Sequence, residues 1–367
     1  MRFLFDINHP AHVHYFKHCI RLLRQRGHEA VITTRDRFPS IQLLEAEGEA
    51  YVDRGAGADS IWGKLLYMPV ADVRIARVAG DFKPDVYVSF STPYPSQVAS
   101  LFRKPAVVFT DTENAKLHRY FTFPFSRVIC TPECFRKDLG EKQVRFDGYM
   151  ELAYLHPRYF TPDPSILDLL GVRKGEKYVI IRFVSWKANH DIGHQGITPR
   201  NKVKALREFG RYAKVFVTSE MELPEGLNAA RMSIPPQRMH DALAFASLVY
   251  GEGATMASEA AVLGTPAIFV NDGWTGYTAE EEERYGLVFN FGESLSQQEE
   301  SIARGVQLLS TAAGIDDWQG KRKRLLRDKI DVTAFMAWFL ENYPASVEEM
   351  RREPDCLDCF KQSPSEI

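Results

Sequence analysis

The chain has 367 residues, 45% of them hydrophobic and 26% charged, with a formal net charge of -2. That is a globular composition too long for one ordinary core, so two domains are expected. The charge gives no global electrostatic reason to expect nucleic acid or a membrane surface as partner, and no run approaches the roughly 18 apolar residues of a membrane span.

Met1-Arg2 leads directly into a short strand rather than an export signal. The sparse, odd set of Cys19, Cys130, Cys134, Cys356 and Cys359 suggests reduced thiols. A cytoplasmic location is therefore expected, with peripheral membrane contact left open. Cys356 and Cys359 form a lone CxxC, for which a metal site would need further ligands. No metal or cofactor is expected.

Arg2–Asp6 is the first predicted strand. The loop Ile7–Ala11 follows, then a helix from about His12 to Arg26 with Val13, Phe16, Ile20 and Leu23 on one face. Glu29–Thr34 is the second strand, and a right-handed crossover makes the two parallel. Asp6, Asn8, His9, His12 and His14 fall at the C-terminal end of the first strand. Because the apolar stripe runs through Val13 and Phe16, His12 and His14 are not expected to face the core together. They are candidate acid–base or anion-donor groups beside helix capping and exposed imidazoles as the plain alternative.

The alternation continues through a helix at Ser40–Glu47, a strand at Tyr51–Val52, and a helix at Ile61–Gly80 broken near Pro69. Strands follow at Asp85–Ser91, Ala106–Thr110, Val128–Cys130 and Val144–Asp147, with a helix at Ser96–Phe102. Asp111, Thr112, Glu113 and Asn114 form a second polar cluster after a strand, which is where an open α/β sheet holds its ligands. Glu113 is the candidate catalytic acid or base there. Residues 151–175, rich in Tyr and Pro, are expected to be an extended linker between a domain at 1–150 and one at 176–330.

In the second half, strands are predicted at Tyr178–Phe183, Ala213–Val217, Leu248–Tyr250, Ala267–Val270 and Leu287–Asn290. Helices are predicted at Lys202–Gly210, His240–Ala246 and Gln297–Ser310. After Arg182 a long polar stretch carries His190 and His194. The intervening Gly193 argues against a helical metal pair, so the segment is expected to be a substrate loop, together with Asp272 further on. Gly251-Glu-Gly-Ala-Thr255 opens a small-residue helix that Gly264 and Pro266 end. This strand, glycine turn and helix N-terminus form a phosphate-holding arrangement. Gly251, Gly253, Ala254 and Thr255 are the candidate phosphate-binding residues, Arg182 the neutralising cation, and Glu259, one turn in, the candidate for ribose hydroxyls. The plain alternative is glycine serving turn geometry alone.

Glu280–Glu283 is expected to be an acidic first helical turn, one glutamate of which is a further candidate for sugar hydroxyls. Lys321–Lys329 reads as a solvated basic helix. An apolar C-terminal helix is predicted within 331–345, and 346–367 as a loosely attached tail.

The two α/β halves and the glycine turn with Glu259 resemble the GT-B architecture: two Rossmann-like doubly wound domains with a cleft between them. Many nucleotide-sugar glycosyltransferases and the non-hydrolysing UDP-N-acetylglucosamine 2-epimerases share it. More specifically, Asp6-Ile-Asn-His-Pro-Ala-His-Val-His-Tyr-Phe-Lys17, Val184-Ser-Trp186 with its loop to Gly196, and Gly148-Tyr-Met-Glu-Leu-Ala-Tyr-Leu155 resemble the DUF354 family over roughly residues 1–345.

The resemblance implies that Gly253-Ala254-Thr255 is the phosphate turn and that Glu259 matches the ribose glutamate of MurG-type transferases. Glu113 is similar to a catalytic-region glutamate of the epimerases. Ser89-Phe-Ser-Thr92 lacks the aspartate those epimerases carry, and their His-Arg-Arg-Glu-Asn segment is absent. The expected activity is a metal-independent transfer from a nucleotide sugar, UDP-linked, to a hydroxyl acceptor in cell-surface polysaccharide or glycoconjugate synthesis. The alternatives are a nucleotide-sugar 2-epimerase or hydrolase, or a non-catalytic nucleotide- or glycan-binding protein. The sequence leaves the oligomeric state open.

Overall fold

A computed structural model describes the chain except for residues 58–60, 114–116, 185–195, 220–229, 274, 312–314 and 363–367. The contacts divide it into two compact units, 1–154 with 329–366, and 155–328.

The first unit opens with β1 (Arg2–Ile7), α1 (Pro10–Gln25), β2 (Glu29–Thr34), α2 (Ser40–Ala46), β3 (Val52–Asp53), α3 (Ile61–Phe82), β4 (Val86–Phe90) and α4 (Pro93–Leu101). It continues with β5 (Ala106–Phe109), α5 (His118–Phe121), β6 (Val128–Pro132), β7 (Gln143–Phe146) and α6 (Leu152–Leu155). The strands form one parallel sheet in the order β3-β2-β1-β4-β5-β6-β7. Runs such as Phe3, Leu4 and Phe5, and Val107 to Phe109, are buried on both faces, as parallel strands covered by helices require. The order reverses between β1 and β4, so the crevice beyond their C-terminal ends is the sheet's natural ligand position.

The second unit contains α7 (Ile166–Leu170), β8 (Tyr178–Phe183), α8 (Pro199–Phe209), β9 (Lys214–Ser219), α9 (Met239–Phe245), β10 (Leu248–Gly251) and α10 (Ala254–Leu263). Beyond these lie β11 (Ala267–Val270), α11 (Gly276–Glu280), β12 (Val288–Phe291), α12 (Leu295–Ser310) and α13 (Ile315–Asp328). Its sheet is parallel in the order β12-β11-β10-β8-β9, with the switch between β8 and β10. A core of Val179, Ile181, Phe209, Leu248, Tyr250, Ile268 and Ile302 fills one side. The chain then returns to the first unit through α14 (Val332–Glu341) and α15 (Ala345–Arg352).

Five expectations are corrected. First, α3 is continuous through Pro69; the proline lies on the exposed face, where the carbonyl it leaves without a donor can be hydrated. Second, 151–175 is not an extended linker. It contains α6 and α7, and Leu152, Ala153, Tyr154, Leu155, Ile166 and Leu170 are buried. Pro157 and Pro164 lie in the turns flanking these short helices, two residues after α6 and two before α7.

Third, the segment beyond 345 is not a loose tail. It forms α15, and Val347, Met350 and Leu357 are buried. An anti-parallel bridge joins Ile330 to Lys361. Fourth, Glu280–Glu283 does not open a helix. Glu280 ends α11, and Glu281–Tyr285 forms a wider π turn. Two of its acids are engaged inside the unit: Glu281 accepts from Ser258 Oγ at 2.6 Å, and Glu282 from Asn290 Nδ2 at 2.7 Å. Fifth, the basic run at 321–329 is partly inward as well, for Leu325 and Leu326 are buried and Arg322 Nε donates 2.9 Å to the Val262 carbonyl. That bond closes the C-terminal end of α10.

Candidate functional site

In the second unit, Gly251 pairs with Arg182 across the β8–β10 switch point. The approach is so close that a Cβ on Gly251 would lie 2.1 Å from the Arg182 carbonyl oxygen, so only glycine fits. Gly253 is the N-cap of α10 without a side-chain cap, and Ala254 is the first helical residue, two earlier than the periodicity predicts. The first-turn amides at Ala254, Thr255 and Met256 belong to the end of a helix whose dipole is positive there. Gly253, Ala254, Thr255 and Met256 are half-buried rather than sealed. Arg182 Nη1 donates to Thr218 Oγ1 at 3.1 Å on the other side of the same switch point.

Glu259 faces His240, with Oε1 and Nε2 2.9 Å apart and both side chains buried. Asp272 is exposed at the end of β11, where its Oδ1 accepts from the Glu293 amide at 2.9 Å. His190 and His194 lie outside the described residues.

Glu252, between the two glycines, is 2% exposed. Its carboxylate accepts from the Val184 amide at 2.9 Å and from the Ile197 amide at 2.6 Å. Lys202 Nζ stands 3.3 Å away. Burial outweighs Lys202 and the two amides and holds the carboxyl above its usual range. One acid thus fixes the phosphate-type turn to the residues on either side of 185–195.

In the first unit, the turn from β1 to α1 is built on a buried ion pair. Arg54 Nε lies 2.9 Å from Asp6 Oδ1 with the two side chains 1% and 0% exposed. Thr33 Oγ1 adds a bond to the same oxygen at 2.8 Å, and Arg54 Nη2 continues to Asn8 Oδ1 at 2.8 Å. His12 and His14 are both buried, contrary to the expectation that only one could be. α1 is covered on two sides: the His12 ring meets Phe90 of β4 at 5.0 Å, and the His14 ring stacks on Tyr154 at 5.2 Å. Burial, with the neighbouring His9 and the Arg37 and Arg54 charges, holds His12 well below the usual imidazole range, so it is neutral at neutral pH.

After β5, Asp111 is buried and pushed up to about 7 by burial, with the Glu113 charge adding to it against a bond from Thr112. Glu113 Oε1 accepts from the Arg136 amide at 3.2 Å. Burial beside the Glu113 charge therefore favours the protonated form of Asp111 far more than an exposed carboxyl's.

Sequence reading missed Arg54, Glu252 and His240 as site residues. An acid between two glycines was a visible signal for Glu252. Arg54 and His240 had none, because their partners are 48 and 19 residues away.

Two parallel doubly wound sheets, each with its polar residues at a switch point, define the GT-B fold class, and solved structures of that fold superpose. UDP-GlcNAc 2-epimerase from Neisseria meningitidis, solved bound to UDP-GlcNAc, has TM-score 0.69 at 12% identity and covers 93% of this chain and 100% of that one. The spinosyn rhamnosyltransferase SpnG complexed with spinosyn aglycone has TM-score 0.57 at 15% identity, covering 93% and 100%.

A family model described as "Protein of unknown function (DUF354)" matches residues 1–274, and the chain belongs to that family. An uncharacterized protein of Methanocaldococcus jannaschii is 25% identical over 276 residues, 72% of this chain and 80% of that one. Among the described residues no helix is long and apolar enough to cross a membrane.

Proposed function

We propose that the protein is a glycosyltransferase that uses a nucleotide diphosphate sugar, UDP-linked, and a hydroxyl acceptor. The observation that carries the reading is the second unit's switch point. There the Gly251–Gly253 turn, the α10 N-terminus and Arg182 bring donors and positive charge to one strand end. A helix N-terminus and an arginine stabilise the charge that grows on a departing diphosphate without needing a metal. Glu259 is the candidate for the ribose hydroxyls, oriented by His240.

The first unit supplies the acceptor side. The acceptor oxygen bonds to the anomeric carbon as the bond from that carbon to the diphosphate oxygen breaks. That step needs a base for the acceptor's proton, and the candidates within the first unit are the carboxylates after β5, Glu113 with Asp111 as its neighbour.

The second reading is epimerisation or hydrolysis of the nucleotide sugar itself, and it draws on the same carboxylate pair. Incubation with UDP-sugars decides between the two. Nucleotide release that needs an added hydroxyl acceptor and yields a glycosylated product supports transfer. A new epimer, or free sugar with no acceptor present, overturns it.

A further inference from the structure

We propose that Arg54 is a positioning residue for His12: acting through Asp6 and Asn8, it holds His12 in the tautomer that carries its proton on Nε2, so His12 serves as a hydrogen-bond donor and not as the base. The chain of contacts is continuous. Arg54 reaches from the end of β3 past β2 to the end of β1, where its guanidinium spans Asp6 Oδ1 at 2.9 Å, Asp6 Oδ2 at 3.3 Å and Asn8 Oδ1 at 2.8 Å. Its plane is fixed from outside that contact by the Tyr94 ring, 4.7 Å from Cζ, and by Tyr67, whose hydroxyl lies 3.3 Å from Nη1.

Asn8, anchored by its side chain, turns its own backbone amide onto His12 Nδ1 at 3.3 Å. A ring nitrogen that accepts a backbone N–H cannot carry a proton, so a neutral imidazole must carry it on Nε2. Phe90 at 5.0 Å and Tyr15, stacked at 6.0 Å, keep the ring from turning over.

The consequence for chemistry is specific. With Nδ1 occupied and Nε2 protonated, His12 has no lone pair to offer an acceptor hydroxyl. It offers one N–H, suited to a sugar or acceptor oxygen bearing partial or full negative charge. A buried ion pair is a poor device for stability alone, since apolar groups of the same volume serve as well. Its planar two-pronged reach to Asp6 and Asn8 is what an apolar or a lysine side chain cannot reproduce. What His12 donates to rests on the proposed acceptor side of the first unit; its tautomer does not.

The test is a long-range proton–nitrogen correlation spectrum of the full chain with nitrogen-15 histidine, His12 being assigned by loss of its signals in His12→Gln. The expected result is a single neutral Nε2–H pattern in the wild type. Arg54→Lys keeps the charge but cannot span both partners, and Asn8→Ala removes the anchor while leaving Asp6 and Arg54 paired. Each is expected to lose the single pattern to a mixture containing Nδ1–H.

A wild-type His12 that is Nδ1–H or doubly protonated overturns the proposal, and so does an unchanged pattern in Asn8→Ala, which decides the matter if Arg54→Lys does not fold. Uridine diphosphate binding by the same samples is read separately by calorimetry. Its absence would count against the proposed function and leave the tautomer result standing.

Discussion

Replacing Gly251 by alanine places a Cβ 2.1 Å from the carbonyl oxygen of Arg182 and 2.9 Å from its carbonyl carbon, where real contacts essentially never fall under 3.0 Å. The obstruction is backbone, so no side chain can swing aside, and β8 must retreat from β10 by about 0.9 Å. The displaced carbonyl is the one that accepts from the Glu252 amide at 3.1 Å, and Glu252 in turn holds the amides of Val184 and Ile197.

Overpacking with loss of such a bond costs roughly 2–3 kcal/mol. For a unit of this size each kcal/mol lowers Tm by about 2–4 °C, so a fall of about 4–12 °C is expected by scanning calorimetry. Gly253→Ala is the control, since its Cβ meets Arg182 Cγ at 3.5 Å, an ordinary contact. A Gly251→Ala protein that melts within a degree of the wild type would refute the close approach on which the turn depends.

Further outcomes are expected elsewhere. Glu252→Gln leaves one of two buried amides facing an NH2 group and deprives Lys202 of its charge partner. Stability should fall by about 1–3 kcal/mol, with faster hydrogen exchange at Val184 and Ile197; unchanged exchange at both would contradict the clamp. A double-mutant cycle of His240→Ala and Glu259→Ala should show a coupling of roughly 0.5–3 kcal/mol, and additive losses would show that the 2.9 Å contact does not join them.

Asp111, raised to about 7, binds its proton more tightly in the folded chain than in the unfolded one. Its contribution to stability is therefore full below the ordinary carboxylate range and is lost as pH rises toward 7 and beyond. Urea midpoints should fall between pH 5 and pH 8 by less in Asp111→Asn than in the wild type, and equal falls would remove Asp111 as the cause.

Much of the fold was written in local pattern. The alternation of apolar runs with amphipathic stretches located β2, β8 and β11 at their observed ends, and Gly264 marked the stop of α10, where it adopts a left-handed conformation. Local pattern failed where tertiary packing decides. Pro69 looked like a break, but on an exposed face a helix tolerates it. Residues 151–175, rich in Tyr and Pro, looked extended, yet aromatic and aliphatic side chains there found buried positions. His12 and His14 looked unable to face the core together, until Phe90 covered the one and Tyr154 the other.

The site divides in the same way. The glycine turn is a contiguous motif and was legible, as were the clusters after β1 and β5. The partners that give those residues their chemistry, Arg54 for Asp6 and His240 for Glu259, come from other elements, and no spacing rule connects them.

On the proposed function, the β10–α10 turn holds a nucleotide diphosphate. Isothermal titration of the full chain with UDP and UDP-sugars tests it directly, in the wild type and in Arg182→Ala and Glu259→Ala. The wild type is expected to bind, with affinity weakened about tenfold or more in each variant, the equivalent of roughly 1.4 kcal/mol or more for each lost contact. No binding by the wild type to any nucleotide diphosphate, or equal binding by all three proteins, would contradict it.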